Sequence, residues 1–187
     1  MKIVALTGPK GSGKDTVAKI IKDTYNANTI AFADPIKDKI NHILQLPSDF
    51  RDKSAYDAVK RSRLTYDLPG IGTYSVEGRH VVREIGMLMR EYDSTQFTTY
   101  VESTIRSQPD KLWVVTDLRF DNEYTMLRKL GASVIKIVRP RYDYDGHITE
   151  RGFDDHLVDG ILMNDNSLEF LQIRTEIVMK TLFEELR

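Results

Sequence analysis

Residues 8–16 read G-P-K-G-S-G-K-D-T and follow directly on the apolar run Ile3, Val4, Ala5, Leu6. A short strand thus delivers the chain to a turn of glycines. Without Cβ atoms in the way, the backbone N–H groups of residues 10–14 can curl around an anion. An amphipathic helix carrying Val17, Ala18, Ile20 and Ile21 begins near Gly13 and adds its positive dipole end. Lys14 supplies a mobile charge for the outer phosphates of a nucleoside triphosphate. The spacing is G-x-x-x-x-G-K, which makes Gly8, Lys10, Gly11, Ser12, Gly13, Lys14, Asp15 and Thr16 a predicted phosphate-binding loop. One position departs from the pattern. Where a Ser or Thr usually holds Mg²⁺ the chain has Asp15, and the hydroxyl comes one residue later as Thr16. Either Asp15 orders water around the metal or Thr16 takes over.

A chain of 187 residues is most simply one domain with a substantial core. Its 27 basic and 28 acidic residues balance to a net charge of -1, without the basic surplus of a duplex binder, so no nucleic-acid partner is expected. The absence of cysteine removes disulfides, thiolate zinc sites and cysteine nucleophiles together. No apolar run approaches the ~20 residues of a membrane span. The N-terminus runs straight into a core strand rather than a charged leader, so a cytoplasmic protein without a membrane partner is expected.

Continuous apolar runs at 3–6, 29–32, 112–116, 134–138 and 160–163 predict five strands of a parallel sheet covered on both faces. Helical patterns fall at about 13–25, 35–44, 53–64, 78–92, 94–107, 121–130 and 167–186, and Gly131 stands where a C-terminal cap belongs. The fold class is α/β. The final helix carries Leu168, Leu171, Ile173, Ile177, Val178, Leu182 and Phe183, a set suited to packing on the sheet. Residues 35–109 read as a mostly helical insertion into a core of 1–34 and 110–187, with no linker to mark a separate second domain.

At about 100° per residue, Arg79, Arg83, Gly86 and Arg90 fall within about 60° of one another on the helix at 78–92. Val81, Ile85, Leu88 and Tyr92 cluster opposite, so one face is expected to be core and the other cationic. Gly86 costs about 1 kcal/mol in a helix interior, which points to a flat, phosphorylated ligand lying against it. Asp34, before Pro35, either caps the next helix or faces a cleft, and Lys37 can reach an anion. Asp117 and Arg119, in T-D-L-R-F-D-N-E, follow the third strand, and ligand sites of parallel sheets lie outside strand carboxyl ends. There Asp117 can hold Mg²⁺ through water, or Asp117 or Asp121 can simply cap the helix that follows. Arg139, Arg141 and Arg151 flank a polar stretch over about 140–155 that reads either as a lid or as an ordinary surface loop. Neither a full calcium loop around Asp143, Asp145 and Gly146 nor a metal motif among His42, His80, His147 and His156 is present.

In order along the chain, G-x-x-G-S-G-K-D-T at 8–16, F-A-D-P-I-K at 32–37, G-R with I-G and R within 78–90, T-D-L-R-F-D-N-E at 116–123, H-I-T-E at 147–150 and I-L-M-N-D-N-S-L-E at 161–169 resemble the phage-type deoxynucleoside monophosphate kinases, a branch of the P-loop nucleoside monophosphate kinase superfamily. The resemblance implies a three-layer P-loop NTPase fold with sheet order 2-3-1-4-5, a helical substrate-binding insertion and a lid. It also implies ATP and Mg²⁺ as the phosphoryl donor system, with a deoxynucleoside monophosphate as acceptor. Its site would be Lys14 with the loop amides on the phosphates, and Asp15, Thr16 and Asp117 around the metal. Lys37, Arg79 and Arg90 would hold the acceptor phosphate beside Asp34, with Arg83 and Gly86 near the base; Arg119, Arg141 or Arg151 would stabilise the transferring group. A phage protein would act in the host cytoplasm on small molecules, and a homodimer is compatible with all of this. The substrate helix of such kinases often reads L-Q-x-x-G-T, where this chain has Val82, Arg83, Gly86 and Met87, so base preference does not carry over. Two rivals remain: a P-loop kinase of another metabolite such as dephospho-coenzyme A, and a GTP-binding switch suggested by D-L-P-G at 67–70, with no strand-like run before it and no N-K-x-D element.

Overall fold

The apolar runs form strands because both of their faces are buried, as a computed structural model of the chain shows for residues 1–36, 58, 61–70, 72–140 and 153–183. In chain order the elements are β1 (Lys2–Thr7), α1 (Lys14–Tyr25), β2 (Asn28–Ile30), β3 (Arg63–Leu68), β4 (Gly72–Glu77), α2 (Gly78–Tyr92), α3 (Thr95–Ser107), β5 (Leu112–Val115), α4 (Asp121–Lys129), β6 (Ser133–Val138), β7 (Gly160–Met163) and α5 (Leu168–Leu182), with a short 3₁₀ turn at Asp155–Leu157. The chain divides into two compact units, Met1–Phe32 with Thr98–Arg187, and Ala33–Phe97.

The first unit carries a five-stranded sheet ordered β2-β5-β1-β6-β7, in which every neighbouring pair is parallel. Counted among the sheet's own strands, this is 2-3-1-4-5. Val4, Leu6, Val114, Ile135 and Ile137 point to one face, where Val17, Ile21, Leu171 and Met179 of α1 and α5 join the same buried cluster. By strand alternation Ile3, Ala5 and Val115 face the other side, and they too are fully buried. Each such side chain contributes about 1.5–3 kcal/mol relative to an exposed one. In α5 the buried stripe is Leu171, Thr175 and Met179, while Leu168, Ile173 and Ile177 are exposed, which corrects the expected packing face of that helix. Helix α4 stops where Gly131 takes φ 78, with the Gly131 and Ala132 N–H groups donating back to Arg128 and Leu127. No helix among the described residues is long and apolar enough to cross a membrane.

The second unit contains a hairpin that the sequence reading did not anticipate, while residues 37–57, with most of the helices expected over 35–44 and 53–64, lie outside the described residues. Residues 63–68, placed partly in a helix over 53–64, form β3, which pairs antiparallel with β4 from Arg63 opposite Glu77 to Leu68 opposite Gly72. Gly70 and Gly72 adopt φ 79 and 124 in the connecting turn. The D-L-P-G tetrapeptide is therefore the end of a hairpin strand and its turn, with Asp67 accepting a 2.6 Å hydrogen bond from the Thr73 hydroxyl, rather than a nucleotide-sensing element.

Candidate functional site

Between β1 and α1 the glycines adopt backbone angles that side chains disfavour: φ 130 at Gly8, 76 at Gly11 and 105 at Gly13. A Cβ on Gly8 would come within 2.3 Å of the Ile137 carbonyl oxygen, so the loop lies hard against β6. Gly13 precedes the first helical residue, and the first turn of α1 presents its N–H groups at the positive end of the dipole. The buried Lys14 ammonium donates to the carbonyls of Gly8 and Pro9, 2.7 Å each, and so spans its own loop. Ser12 N–H closes a turn onto Pro9 O at 3.2 Å. The hydroxyls of Thr7 and Ser12 are buried without a hydrogen-bond partner, an arrangement that costs about 1–3 kcal/mol each in protein interiors. Asp15 and Thr16 are exposed in the first turn, while Lys10 and Gly11 are exposed on the loop.

Residues 116–120 cross the carboxyl ends of the central strands. Thr116 N–H donates to Ile30 O, and Leu118 N–H to Leu6 O. Between them the Asp117 carboxylate accepts a 2.7 Å hydrogen bond from Phe32 N–H, joining the ends of β2 and β5. Neither Asp117 nor Asp121 is the N-cap of α4; that position belongs to Phe120, and Asp121 is the first helical residue. Glu123, fully buried, accepts from the N–H groups of Arg119 and Phe120 at 2.9 and 3.2 Å, and so fixes the turn that carries Arg119. The sequence reading missed this residue; its signal was a Glu at the third position of a helix, half of a capping box without the usual Ser or Thr partner. Arg139, just beyond β6, reaches the Gly11 carbonyl at 3.5 Å.

In the second unit, the buried residues of α2 are Gly78, Val82 and Gly86, whereas Leu88 is 66% and Tyr92 92% exposed. Val81 and Ile85 are half-buried, so the buried stripe runs between the expected core face and the cationic face, which corrects the assignment of one face to core. Arg79, Arg83 and Arg90 are half-buried. The Arg83 Nε is buried and without a hydrogen-bond partner, 3.9 Å from Glu84 Oε1, and the Arg90 guanidinium sits 4.2 Å over the Phe97 ring. A Cβ on Gly86 would lie 3.1 Å from Ile36 Cδ1, so Ile36 fills the space expected for a flat group, and packing explains this glycine. Asp34 is half-buried in the first helical residues after Ala33. Lys37, Arg141 and Arg151, with most of the lid, lie outside the described residues.

A strand, glycine loop, lysine and helix at the carboxyl edge of a parallel 2-3-1-4-5 sheet define a P-loop kinase. The solved dephospho-CoA kinase from Campylobacter jejuni superposes with a TM-score of 0.56 at 14% identity over the whole of both chains, which supports the fold alone. A family model described as deoxynucleotide monophosphate kinase matches residues 2–99 and 85–175, and the chain belongs to that family. The deoxynucleotide monophosphate kinase of Enterobacteria phage T4 is 25% identical over 97% of this chain and all of its own length. That of Escherichia phage RB69 is 39% identical over 69 residues, 36% of this chain and 28% of its own.

Proposed function

We propose that this chain transfers the γ-phosphoryl group of ATP to the 5′-phosphate of a deoxynucleoside monophosphate, releasing ADP and the deoxynucleoside diphosphate. The observation that carries the acceptor half of this reading is Arg83 on α2, half-buried with its Nε buried and without a hydrogen-bond partner. A buried guanidinium N–H left without an acceptor is costly, and the oxygens of a phosphorylated substrate supply one. Arg79 and Arg90 hold the acceptor phosphate, with Arg83 beside the base and Asp34 at the edge of the same unit. Lys37, Arg141 and Arg151 keep the roles that the family resemblance gives them, Lys37 on the acceptor phosphate and the two arginines at the transferring group.

On the donor side, the loop amides and Lys14 bind the β- and γ-phosphates, and phosphate oxygens offer an acceptor to the orphaned Ser12 hydroxyl. An acceptor phosphate oxygen is already ionised at neutral pH, so the chain needs no strong general base. It forms the new bond to the γ-phosphorus as the bond to the bridging oxygen of ADP breaks, and the work of the protein is alignment and charge neutralisation. Arg119, on the turn that Glu123 fixes, faces the developing charge. Asp15, Thr16 and Asp117 are hard oxygen donors, and among the described residues no group of three or more His, Asp or Glu is arranged to hold a metal ion by itself. That donor set fits Mg²⁺, which keeps several waters and takes one or two carboxylates besides the nucleotide phosphates. When bound, the ion supplies charge neutralisation at the β- and γ-oxygens.

The test is ADP release from Mg·ATP in a coupled assay, with each deoxy- and ribonucleoside monophosphate and dephospho-coenzyme A offered separately. Turnover with one or more deoxynucleotides is expected. Turnover with dephospho-coenzyme A alone, or with none of them, overturns the proposal.

A further inference from the structure

We propose that Asn164, which lies outside every motif assigned above to catalysis or substrate binding, is a positioning residue for the phosphate loop: its side-chain amide sets the orientation of the peptide between Ser12 and Gly13. The inference rests on the reading of residues 8–16 as the phosphate site.

Asn164 follows β7, and its Nδ2 donates to the Ser12 carbonyl at 2.8 Å, across 152 residues of sequence. The acceptor is a carbonyl oxygen, which only accepts, so the nitrogen of the amide is the atom that faces it. A trans peptide is planar, with its C=O and N–H pointing in opposite directions. Drawing the Ser12 carbonyl towards β7 therefore turns the Gly13 N–H the other way, into the loop, where an anion would accept from it. If the peptide rotated, the loop would present a carbonyl oxygen to the phosphates instead.

The backbone that carries the amide is itself held in place. Asn164 N–H donates to Val138 O at 2.8 Å, which extends the pairing of β6 and β7 by one residue. Arg174, from α5, donates to Met163 O at 2.8 Å and pairs with the Asp165 carboxylate, so the residues on either side are tied to the helix. Ser167 then caps α5 by accepting from Phe170 N–H. On the loop side, a Cβ on Gly13 would sit 2.4 Å from Asn164 Nδ2. Gly13 is thus required twice, by its φ of 105 and by the space that the amide occupies. The last strand of the sheet thereby reaches over to orient the loop that follows the first.

The experiment compares the parent chain with Asn164→Ala and with Asn164→Asp, which keeps the shape but sets a carboxylate oxygen against the Ser12 carbonyl. ADP and inorganic pyrophosphate are titrated calorimetrically in EDTA, KM values for ATP and the acceptor are measured separately, and thermal midpoints are recorded. Loss of one positioning hydrogen bond is expected to weaken ADP and pyrophosphate roughly 5- to 30-fold in Asn164→Ala, and further in Asn164→Asp. The KM for ATP should rise in parallel while that for the acceptor stays within about twofold. Unchanged ADP binding in both variants overturns the inference. So does weaker ADP binding with unchanged pyrophosphate binding, since Asn164 would then act on the base rather than on the loop. A fall in thermal midpoint with the phosphate affinities of the folded protein intact overturns it as well. No binding of either ligand by the parent chain overturns the phosphate-loop reading itself, and this inference with it.

Discussion

Lys14, at the start of α1, and Asp117, just beyond β5, have tasks that can be separated by the choice of substitution. Lys14 bonds its ammonium to two carbonyls of its own loop, so its charge is already placed where the phosphates of a nucleotide would compete for it. Lys14→Met keeps the chain length and removes the charge; with the sheet intact, far-UV circular dichroism should not change. Loss of one preorganised donor to a transferring phosphoryl group is expected to lower kcat at least ~100-fold, and a variant that retains parental turnover would remove Lys14 from the mechanism. Asp117 needs a pair of substitutions, because its carboxylate also receives the Phe32 N–H. Asp117→Asn retains an oxygen for that bond, so its thermal midpoint should stay near the parent's while turnover falls at least ~10-fold with the charge. Asp117→Ala loses both. Equal turnover in Asp117→Asn and the parent would reduce Asp117 to a joint between β2 and β5.

At the scale of elements, charged side chains bolt segments together away from the proposed chemistry. Arg128 on α4 donates to Asp159 at 2.6 Å, to the carbonyls of Leu157 and Ala132, and to the Tyr124 hydroxyl, while Asp159 accepts from Val134 N–H. The hydrogen bond to Asp159 raises the already high pKa of Arg128, so the guanidinium remains charged. Arg128→Ala should destabilise the fold by about 2 kcal/mol, the cost of losing hydrogen bonds to a charged group, read as a shift in denaturant midpoint. Asp93, between α2 and α3, accepts from the Thr95 hydroxyl and N–H, and these bonds hold its carboxyl below the ordinary 3.8. A depressed carboxyl stabilises the fold above its unfolded pKa and loses that contribution as pH falls through the folded value. The Asp93 carboxyl carbon should therefore titrate below 3.8 by NMR, and Thr95→Ala should move it up; no upward movement would remove the hydroxyl as the leading cause. The sheet strands were legible in the sequence because a strand buried on both faces must be apolar throughout. The β3–β4 hairpin was not, since an exposed two-stranded ribbon needs no apolar face and β4 is exposed along nearly all its length. The helical periodicity of α2 was legible, but a periodicity does not say which line of the helix is inside, and here it is Gly78, Val82 and Gly86, between the arginine and apolar faces. Glu123 and Asn164, both inside motifs that carry the family resemblance, received no role from the sequence because each acts on backbone N–H or C=O groups, which leave no mark on residue spacing.

For the molecule as a whole, the division into two compact units predicts that donor and acceptor binding respond to separate sets of substitutions. The loop, Asp117, Arg119 and Asn164 belong to the first unit, and Asp34 with the α2 arginines to the second. Arg83 is the cleaner probe in α2, because Arg90 also stacks on Phe97 and its removal would disturb packing. Truncating a guanidinium that meets the substrate removes a charge-assisted hydrogen bond worth about 1.5–3 kcal/mol, so Arg83→Ala should raise the acceptor KM by at least ~10-fold. ADP affinity, measured calorimetrically without acceptor, should stay within about twofold of the parent's. The Lys14 substitution should show the opposite separation, with acceptor KM little changed at the turnover that remains. If Arg83→Ala weakens ADP as much as it weakens the acceptor, the arginine helix serves the donor nucleotide, and the division of labour between the two units is wrong. If it leaves both constants unchanged, the half-buried Arg83 is a structural feature of the second unit, and base recognition must be sought elsewhere on that unit.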